Sequence, residues 1–495
     1  MADTTMHIRT DAPIGTISPR LYGHFAEHLG RCCYDGLWVG ADATGTPHEV
    51  GFRADVLGAL RALPVPLLRW PGGCYADHYH WRDGIGPAGT RPRRLGMSCG
   101  LTVEDDNTLG THEFLRLCAL IGAEPYLAGN VGTGTPQELC DWLEYCNSAL
   151  DTTLTRERAA NGTPAPFDVR LWGVGNENWG CGGNYDAVTY AREYRRYATM
   201  LRHIDPNVEL VVCGLEDEWN GALLDTLGNR LDLVDHLSIH DYWSAGGPET
   251  DFNEEQYYML LAQADATEVF VQRTAAIIAR ATGGRRQIGI ALDEWGVWHP
   301  EARRNGWGDI PGRRPITYEQ AGTLRDALAA AIALEGFHRQ CNILSMANLA
   351  QIVNVLHAPV MTGRDGGPMW VTPTYHVLRL HAPHIGATAL AVESGGGATV
   401  PSGAPAVSST ASVRGQEIAV TLINRHLTEA ATVSIRGAMG AATAQGHVLA
   451  ADPREQNSAE NPNRVAPIPL AVSGDAGDGW RVALPPHSVA TVQFR

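Results

Sequence analysis

The sequence contains no lysine, and all 38 of its basic residues are arginine. Schiff-base catalysis, attachment of pyridoxal phosphate and the P-loop of nucleotide-binding proteins each need a lysine amine, which arginine does not supply at neutral pH. These three classes of function are therefore excluded. The chain also lacks 18 consecutive apolar residues, and its N-terminus lacks a basic segment followed by an apolar one. We therefore expect neither export nor a membrane span.

Two further absences concern charge and cysteine. Basic runs are missing and the net charge is −16, so we expect no binding to nucleic acid or to an anionic membrane. The ten cysteines show neither a CxxC pair nor a zinc spacing, which predicts reduced thiols in a cytoplasmic protein. Cys74 and Cys181 both fall in predicted loops at strand ends, so a redox-sensitive contact between them stays open.

The rhythm of apolar segments predicts the fold. Short apolar runs alternate with longer helical patterns over three quarters of the 495 residues, which is typical of a (β/α)8 TIM barrel. The predicted strands are Arg20–Glu27, Pro66–Trp70, Glu124–Gly129, Arg170–Glu177, Glu209–Gly214, His236–Tyr242, Gln287–Glu294 and Asn342–Asn348. The predicted helices are Thr111–Ile121, Pro136–Asn147, Asp186–Asp205, Glu254–Ala281 and Glu319–Arg339.

The composition changes near residue 375 to Gly, Ser, Thr and Val in short alternating segments, such as 416–424, 431–435 and 489–494. This pattern predicts an antiparallel β-sandwich of the jelly-roll kind. We therefore divide the chain, which is α/β in class, into a barrel over 19–375 and a sandwich over 376–495. Residues 1–18 are expected to join the sandwich through a strand at Met6–Thr10.

Polar residues end several predicted strands, where a barrel places its active site. They include Glu27, Arg69, Asn130, Glu177 and His240. Each alone has a structural explanation as a packed or paired residue. Burying them together costs several kcal/mol unless they satisfy one another or a ligand, so their convergence predicts a pocket for a polar substrate.

Two glutamates are flanked by tryptophan: Glu177, next to Trp179, and Glu294, next to Trp295 and Trp298. Two carboxylates across a sugar ring are what glycoside hydrolysis requires, and indole faces stack on sugars and desolvate carboxyl groups. A structural salt bridge to Arg69 is the alternative reading. The pattern favours a glycosidase.

Two other motifs offer weaker chemistry. The G-x-S-x-G match at 96–100 does not follow a strand, so it lacks the context of a hydrolase nucleophile. His78 and His80 lack a third metal ligand at a suitable spacing, so a metal-dependent hydrolase is a minor alternative. We expect no metal and no cofactor.

At these residues the sequence resembles the α-L-arabinofuranosidases of glycoside hydrolase family 51. The matching blocks are Tyr22-Gly-His-Phe-Ala-Glu-His-Leu-Gly30, Arg69-Trp-Pro-Gly-Gly73, Trp81-Arg-Asp-Gly-Ile-Gly-Pro87, Gly175-Asn-Glu177, Asp293-Glu-Trp295, Met346-Ala-Asn-Leu-Ala-Gln-Ile-Val-Asn354 and Thr372-Pro-Thr-Tyr-His376. They run in order from about residue 14 to 380. The predicted sandwich matches the family only in its composition and its short alternating segments.

The resemblance implies a retaining double displacement, with Glu177 as general acid/base and Glu294 as nucleophile. It implies substrate or orienting contacts for Glu27, Arg69, Cys74, Asn176, His240, Tyr242, Trp298 and Gln351. The implied substrates are arabinose-containing oligosaccharides, cleaved from the non-reducing end. Family members often form hexamers, so a homo-oligomer is expected.

The sequence departs from many members at two places: Cys74 replaces Asn, and Asn178-Trp179 replaces Met-Asp after the acid/base. A lost amide hydrogen bond could change the sugar preference. β-D-Xylosides, β-D-galactofuranosides and β-glucans therefore stay open as substrates. A carbohydrate-binding protein without turnover is the alternative outside enzymes.

Overall fold

A computed structural model describes residues 2–304, 318–438 and 440–495. Eight parallel strands close into a barrel in chain order, so the predicted (β/α)8 barrel is confirmed. Each predicted strand overlaps one of them. The barrel strands are Gly23–Phe25, Leu67–Trp70, Glu124–Gly129, Leu171–Val174, Glu209–Val212, His236–Trp243, Gly289–Val297 and Leu344–Ala350.

The interior of the barrel is filled rather than hollow. One cluster of fully buried side chains there comes from six different strands, as expected when alternating strand residues point inward. Its members are Leu67, Tyr126, Leu171, Val211, Ala291 and Met346. Because these apolar residues fill the barrel, the polar residues at the carboxyl ends of the strands lie together at one mouth.

The five predicted helices are all present, and two have the predicted bounds. Local signals fix their ends: at Pro136, for example, Thr135 accepts a hydrogen bond from the amide of Glu138 and proline occupies the first helical position. The helices are Ala54–Ala62, Thr111–Ile121, Pro136–Asn147, Thr153–Ala160, Ala187–Ile204, Asp217–Leu227, Glu254–Thr282, Pro300–Arg304, Leu324–Arg339 and Pro373–His381.

The helix predicted to begin at Glu319 begins at Leu324 instead. The amide of Thr323 donates to Oδ2 of Asp326 at 2.9 Å, and the amide of Leu324 donates to the carbonyl of Glu455 in the sheet domain. These contacts start the helix at Leu324. None of the described helices is both long enough and apolar enough to cross a bilayer.

The second domain is a ten-stranded sheet folded over its own core, which includes Met6, Val433, Trp480 and Phe494. The strands are Ala2–Thr16, Thr388–Gly396, Val407–Arg414, Glu417–Asn424, Ala431–Arg436, Ala444–Ala450, Ile468–Leu470, Ser473–Asp475, Gly479–Leu484 and Ser488–Phe494.

One strand pair departs from the antiparallel prediction. The N-terminal strand pairs antiparallel with Thr388–Gly396 but parallel with Ala431–Arg436. The reason is topological: this strand comes from the other end of the chain and is not tied to a neighbour by a hairpin turn. Residues 2–16 thus pair with strands from the last quarter of the chain.

Buried histidines occupy the contact between the barrel and the sheet. His338 bonds through its two ring nitrogens to the hydroxyls of Tyr22 at 2.7 Å and Thr410 at 2.9 Å. His384 bonds in the same way to Ser412 and Thr421, at 2.7 and 2.9 Å. The predicted boundary at 375/376 falls inside the helix Pro373–His381, which leads into this contact.

Within the described residues, three short two-stranded hairpins extend from loops of the barrel. Their paired strands are His48–Glu49 with Phe52–Arg53, Arg94–Ser98 with Leu101–Asp105, and Val360–Thr362 with Met369–Val371. The hairpin over 94–105 reaches the mouth of the barrel, where the hydroxyl of Ser98 donates to Glu27 at 2.6 Å. Ser98 is the serine of the G-x-S-x-G match, so the structure gives that residue a carboxylate partner.

Candidate active site

A cavity of about 460 Å³ opens at the carboxyl ends of the barrel strands. Eight of the ten predicted site residues line it: Glu27, Cys74, Asn176, Glu177, Tyr242, Glu294, Trp298 and Gln351. Arg69 and His240 contact the lining carboxylates without lining the cavity themselves. The structure therefore brings all ten into one group.

Glu294 follows Asp293 on the seventh barrel strand and is almost fully buried. Its Oε1 lies 2.8 Å from Nη1 of Arg69, and its Oε2 accepts a hydrogen bond from the hydroxyl of Tyr242 at 2.7 Å. Both carboxylate oxygens are thus held, and one positive charge compensates the negative charge. A carboxylate fixed in this way is suited to attack a nearby carbon.

Glu177 lies just beyond the fourth barrel strand and is more exposed than Glu294, at 21% of its side chain against 7%. Gly175, with φ of 85°, turns the chain so that Asn176 and Glu177 face the mouth. A Cβ at Gly175 would lie 2.0 Å from Oδ1 of Asn178, so the turn requires glycine. Oε1 of Glu177 lies 2.8 Å from Nδ1 of His240.

The two glutamates are close to one another. One carboxylate oxygen of Glu177, one of Glu294 and a ring nitrogen of His240 all lie within 4.8 Å of one another. Retaining glycosidases have carboxyl groups about 5–5.5 Å apart, whereas inverting enzymes separate them by about 6.5–9.5 Å. The nearest oxygens of Glu177 and Glu294 are closer together than either range.

Arg69 organises the base of the site from the second barrel strand. It donates to Glu294, to Oδ1 of Asn176 at 2.5 Å and to the carbonyl of Asp293 at 3.3 Å. Its guanidinium also lies over the ring of Phe25, 4.6 Å from the centroid. Arg69 therefore fixes the nucleophile candidate relative to Asn176.

Asp293 is a buried anion behind the site. It accepts hydrogen bonds from Ser238 at 2.6 Å and Tyr126 at 2.7 Å. Burial by itself raises the pKa of Asp293, but the charges of Arg69 and His240 outweigh burial and hold that pKa well below its usual range.

Glu27 forms the opposite wall of the cavity. Oε1 of Glu27 accepts from Ser98 and from the amide of Tyr75, and its Oε2 accepts from Nε2 of Gln351 at 3.0 Å. Burial, reinforced by the charge of Glu294, raises the pKa of Glu27 to about 7. Among the residues that the structure describes, none donates a hydrogen bond to Oε1 of Gln351, so this oxygen can accept one from a ligand hydroxyl.

Gly73 keeps the floor of the cavity open. A Cβ at this position would lie 3.1 Å from both Oε1 of Glu27 and Oε1 of Glu294. Any side chain would therefore push against both carboxylates.

The outer wall of the cavity is aromatic and includes residues that the sequence prediction missed. Trp298 packs edge-on against Tyr242 and Tyr318, with ring centroids 5.0 and 5.7 Å apart. Trp179 also lines the cavity, and its indole donates to the carbonyl of Gly214. The predicted set omitted Leu29, Gly73, Cys99, Trp179, Tyr318 and Leu356. Trp179 carried a sequence signal in its place beside Glu177, and Leu29 and Gly73 lie in blocks that carry the family resemblance.

Cys74 and Cys181 form a disulfide, so the prediction of reduced thiols is wrong for these two residues. Their loops follow the second and fourth barrel strands and meet at the mouth, with the two Cα atoms 5.4 Å apart. The contact between these two residues, which the sequence analysis left open because both fall in loops at strand ends, is therefore present, across a sequence separation of 107 residues. The sulfur of Cys181 lies 3.9 Å from Oε2 of Glu177 and from Nδ2 of Asn176.

His78 and His80, which the sequence analysis considered for a metal site, lie outside the groups of potential metal ligands that the described residues form. Nδ1 of His80 lies 2.8 Å from Oε1 of Glu138. Within the described ranges, the two groups of three potential metal ligands lie at the cavity and include neither His78 nor His80.

Comparison with known proteins places this site in a family. A family model described as α-L-arabinofuranosidase 1 domain matches residues 59–258, and one described as α-L-arabinofuranosidase C-terminal domain matches 293–488. An intracellular exo-α-L-arabinofuranosidase of Bacteroides ovatus is 38% identical over 99% of this chain and 95% of its own. The family 51 arabinofuranosidase structure from Xanthomonas axonopodis pv. citri covers both chains completely, with 34% identity and a TM-score of 0.92. The chain belongs to the α-L-arabinofuranosidases of glycoside hydrolase family 51.

Membership in family 51 makes the chain a glycoside hydrolase and confirms the resemblance found in the sequence. A further solved family member, the arabinose complex of the Thermotoga maritima enzyme, is 30% identical with a TM-score of 0.87 and covers 100% of this chain and 99% of its own.

Proposed function

We propose that this family 51 enzyme is a retaining, exo-acting α-L-arabinofuranosidase of the cytoplasm that removes terminal arabinofuranosyl residues from arabinose-containing oligosaccharides. The observation that carries the mechanism is the approach of the Glu177 and Glu294 carboxylates to within 4.8 Å. This spacing supports direct attack by one carboxylate, because an inverting enzyme needs room for a water between the sugar and its base.

In the first step, Glu294 attacks the anomeric carbon while Glu177 protonates the departing oxygen. The glycosidic bond breaks with its electron pair going to that oxygen, and a glycosyl ester forms on Glu294. In the second step, Glu177 accepts a proton from water, whose oxygen bonds to the anomeric carbon. The ester bond then breaks and returns its electron pair to Glu294.

The assignment of the two roles rests on their surroundings. Glu294 is held from both oxygens by Arg69 and Tyr242, as a nucleophile must be to attack along one line. Glu177 is more exposed and lies between His240 and the cavity, where a leaving group and then a water can reach it. Asn176, Glu27 and Gln351 are placed to bind sugar hydroxyls.

We infer the glycone, the exo action and the cellular location from the names of relatives. The Bacteroides ovatus protein is named an intracellular exo-α-L-arabinofuranosidase, and a relative from Acetivibrio thermocellus, 32% identical over 78% of this chain and 76% of its own, is named an intracellular exo-α-(1→5)-L-arabinofuranosidase. A homo-oligomer is part of the same proposal.

The test compares aryl α-L-arabinofuranoside with β-D-xyloside and β-D-galactofuranoside, using the wild type, Glu294→Ala and Glu177→Ala. We expect arabinofuranoside to react fastest and NMR to show product of retained configuration. Azide should rescue Glu294→Ala with an inverted glycosyl azide and Glu177→Ala with a retained one. A faster reaction with another glycone would overturn the substrate. Inverted product from the wild type would overturn the mechanism, and a folded protein without turnover would favour the binding-protein alternative.

A further inference from the structure

His240 lies at the centre of a group of buried carboxylates. It stands near the end of the sixth barrel strand, and 12% of its side chain is exposed. Its Nδ1 is 2.8 Å from Oε1 of Glu177 and 3.6 Å from Oε2 of Glu294, and its Nε2 is 3.2 Å from Oδ1 of Asp293. One imidazole thus contacts the acid/base candidate, the nucleophile candidate and the anion behind them.

The contact with Asp293 fixes one proton of the imidazole. Asp293 stays ionised, and an ionised carboxylate only accepts hydrogen bonds. Because this carboxylate has no hydrogen to donate, the hydrogen of its contact with Nε2 of His240, 3.2 Å away, belongs to the histidine. The tautomer is therefore set by the protein, as in other sites where a carboxylate orients a histidine.

The contact with Glu177 then holds a second proton. A nitrogen and an oxygen 2.8 Å apart share one hydrogen, which lies either on Nδ1 or on Oε1. With the proton on Nδ1 the pair is an imidazolium beside a carboxylate, and with the proton on Oε1 it is a neutral imidazole beside a carboxylic acid. The two forms differ only in the position of one proton.

The charges that face His240 favour keeping this proton in the free enzyme. The acidic groups that face His240 are Glu177, Asp293 and Glu294, and Glu294 in turn contacts the guanidinium of Arg69 and the hydroxyl of Tyr242. Burial lowers the pKa of His240, but the charge of Glu294 and then the contacts with Asp293 and Glu177 raise it to about 10. Glu294 loses its charge when it becomes an ester.

We propose that His240 is a positioning residue that stores the catalytic proton for Glu177 and releases it when Glu294 becomes a glycosyl ester. This rests on the proposed retaining mechanism. During the first step the pair formed by Glu177 and His240 gives its shared proton to the departing oxygen, which leaves Glu177 as a carboxylate and His240 as a neutral imidazole. During the second step the pair takes one proton from water while the electron pair of the ester bond restores the charge of Glu294.

His240 acts through Glu177 rather than on the sugar. It does not line the cavity, whereas Glu177, Glu294 and Tyr242 do. A residue that only binds substrate would change KM, whereas a proton store changes how strongly the rate depends on the leaving group. The leaving group is therefore the property to vary.

The test compares wild type with His240→Gln on aryl α-L-arabinofuranosides, from 2,4-dinitrophenyl to phenyl, and on the methyl glycoside. General acid catalysis contributes about 10²–10⁴-fold when the leaving group is poor. We expect His240→Gln to lose roughly 100-fold in kcat/KM on the phenyl and methyl glycosides but only a few-fold on the dinitrophenyl glycoside. The matched control is Tyr242→Phe, which removes a contact to Glu294 only and should lose equally across the series.

An equal loss by His240→Gln for every leaving group would overturn the role of His240 and leave the proposed function intact. Inverted product from the wild type in the same runs would instead overturn the retaining mechanism, so the two failures are distinguishable.

A second measurement does not depend on the variant folding. In wild-type enzyme labelled with ¹⁵N-histidine, we expect one imidazolium signal to persist at pH 8 and to become a singly protonated imidazole when a slow 2-fluoro arabinofuranoside traps the ester. An unchanged signal on trapping would overturn the proposal.

Discussion

Nη1 of Arg69 lies 2.8 Å from Oε1 of Glu294, so the second and seventh barrel strands meet through one buried ion pair. The same guanidinium donates to Asn176 and to the carbonyl of Asp293. A planar group with five donors makes these contacts together, and a single ammonium does not. The chain contains no lysine, so every cation of this kind in it is an arginine.

Arg69→Lys should therefore retain the charge and lose the arrangement. We expect kcat/KM to fall by about 100-fold, equivalent to roughly 3 kcal/mol of transition-state stabilisation, because Asn176 and Glu294 are no longer held together. Steady-state kinetics on an aryl arabinofuranoside measures the loss. The control is Arg53→Lys, another buried arginine, which pairs with Asp55 away from the cavity. Full activity in Arg69→Lys would contradict the prediction.

Protonation of Glu27, in the wall of the cavity, should affect the free energy of unfolding. Its pKa rises from an ordinary value of 4.5 to about 7, chiefly through burial and then through the charge of Glu294. The folded state thus binds more protons than the unfolded state between these pH values. The stabilisation is complete below pH 4.5 and is lost as the pH rises through about 7.

Glu27→Gln should remove this loss. We expect the free energy of unfolding of wild type, relative to the variant, to fall by on the order of 3 kcal/mol between pH 5 and pH 8. Urea unfolding at several pH values measures the difference. The control is Glu104→Gln, at an exposed position on the hairpin over 94–105. A difference between wild type and Glu27→Gln that stays constant across this pH range would contradict the assignment.

The barrel could be predicted because its strands are short and apolar and end in polar residues. Glu27, Arg69, Glu177 and Glu294 all stand at or just beyond such ends, so their convergence follows from the topology of a parallel barrel. The resemblance to family 51 then supplied roles for residues that no local pattern distinguishes, such as Gln351. Their hydrogen bonds depend on the tertiary structure.

The parts that escaped prediction arise from contacts between distant loops. The hairpin over 94–105 lacks a clear alternation, since Leu95 is 75% exposed, and it contributes Cys99 to the cavity. The disulfide joins loops 107 residues apart; the sequence analysis left a contact between its two cysteines open, but the absence of disulfides expected in a cytoplasm favoured reduced thiols. Neither feature leaves a signature in a local stretch of sequence.

The disulfide between Cys74 and Cys181 should support both stability and activity. It closes a loop of about 100 residues, for which the chain-entropy model gives roughly 5 kcal/mol, and it borders Glu177 and Asn176. We expect Cys181→Ser to lower the melting temperature and to reduce kcat. A dithiol reductant should have the same effect on the wild type and none on the variant.

The control for thiol chemistry is Cys99→Ser, which removes a free thiol from the same cavity. It should respond to reductant as the wild type does. Activity of the wild type that survives complete reduction, verified by thiol titration, would contradict a supporting role for the disulfide.

The histidines between the barrel and the sheet should make the fold sensitive to acid. Burial holds the pKa of His338 and of His384 well below 6.5, since each ring is bonded to neutral hydroxyls and lies close to other histidines. The unfolded state therefore binds protons that the folded state does not. Stability is full above pH 6.5 and falls as the pH drops below it, by about 1.4 kcal/mol per pH unit for each such group.

We expect His384→Gln to make this loss of stability less steep, measured as the melting temperature from pH 7 to pH 5. The control is His203→Gln, at an exposed position, and an equally steep fall in both variants would contradict the prediction.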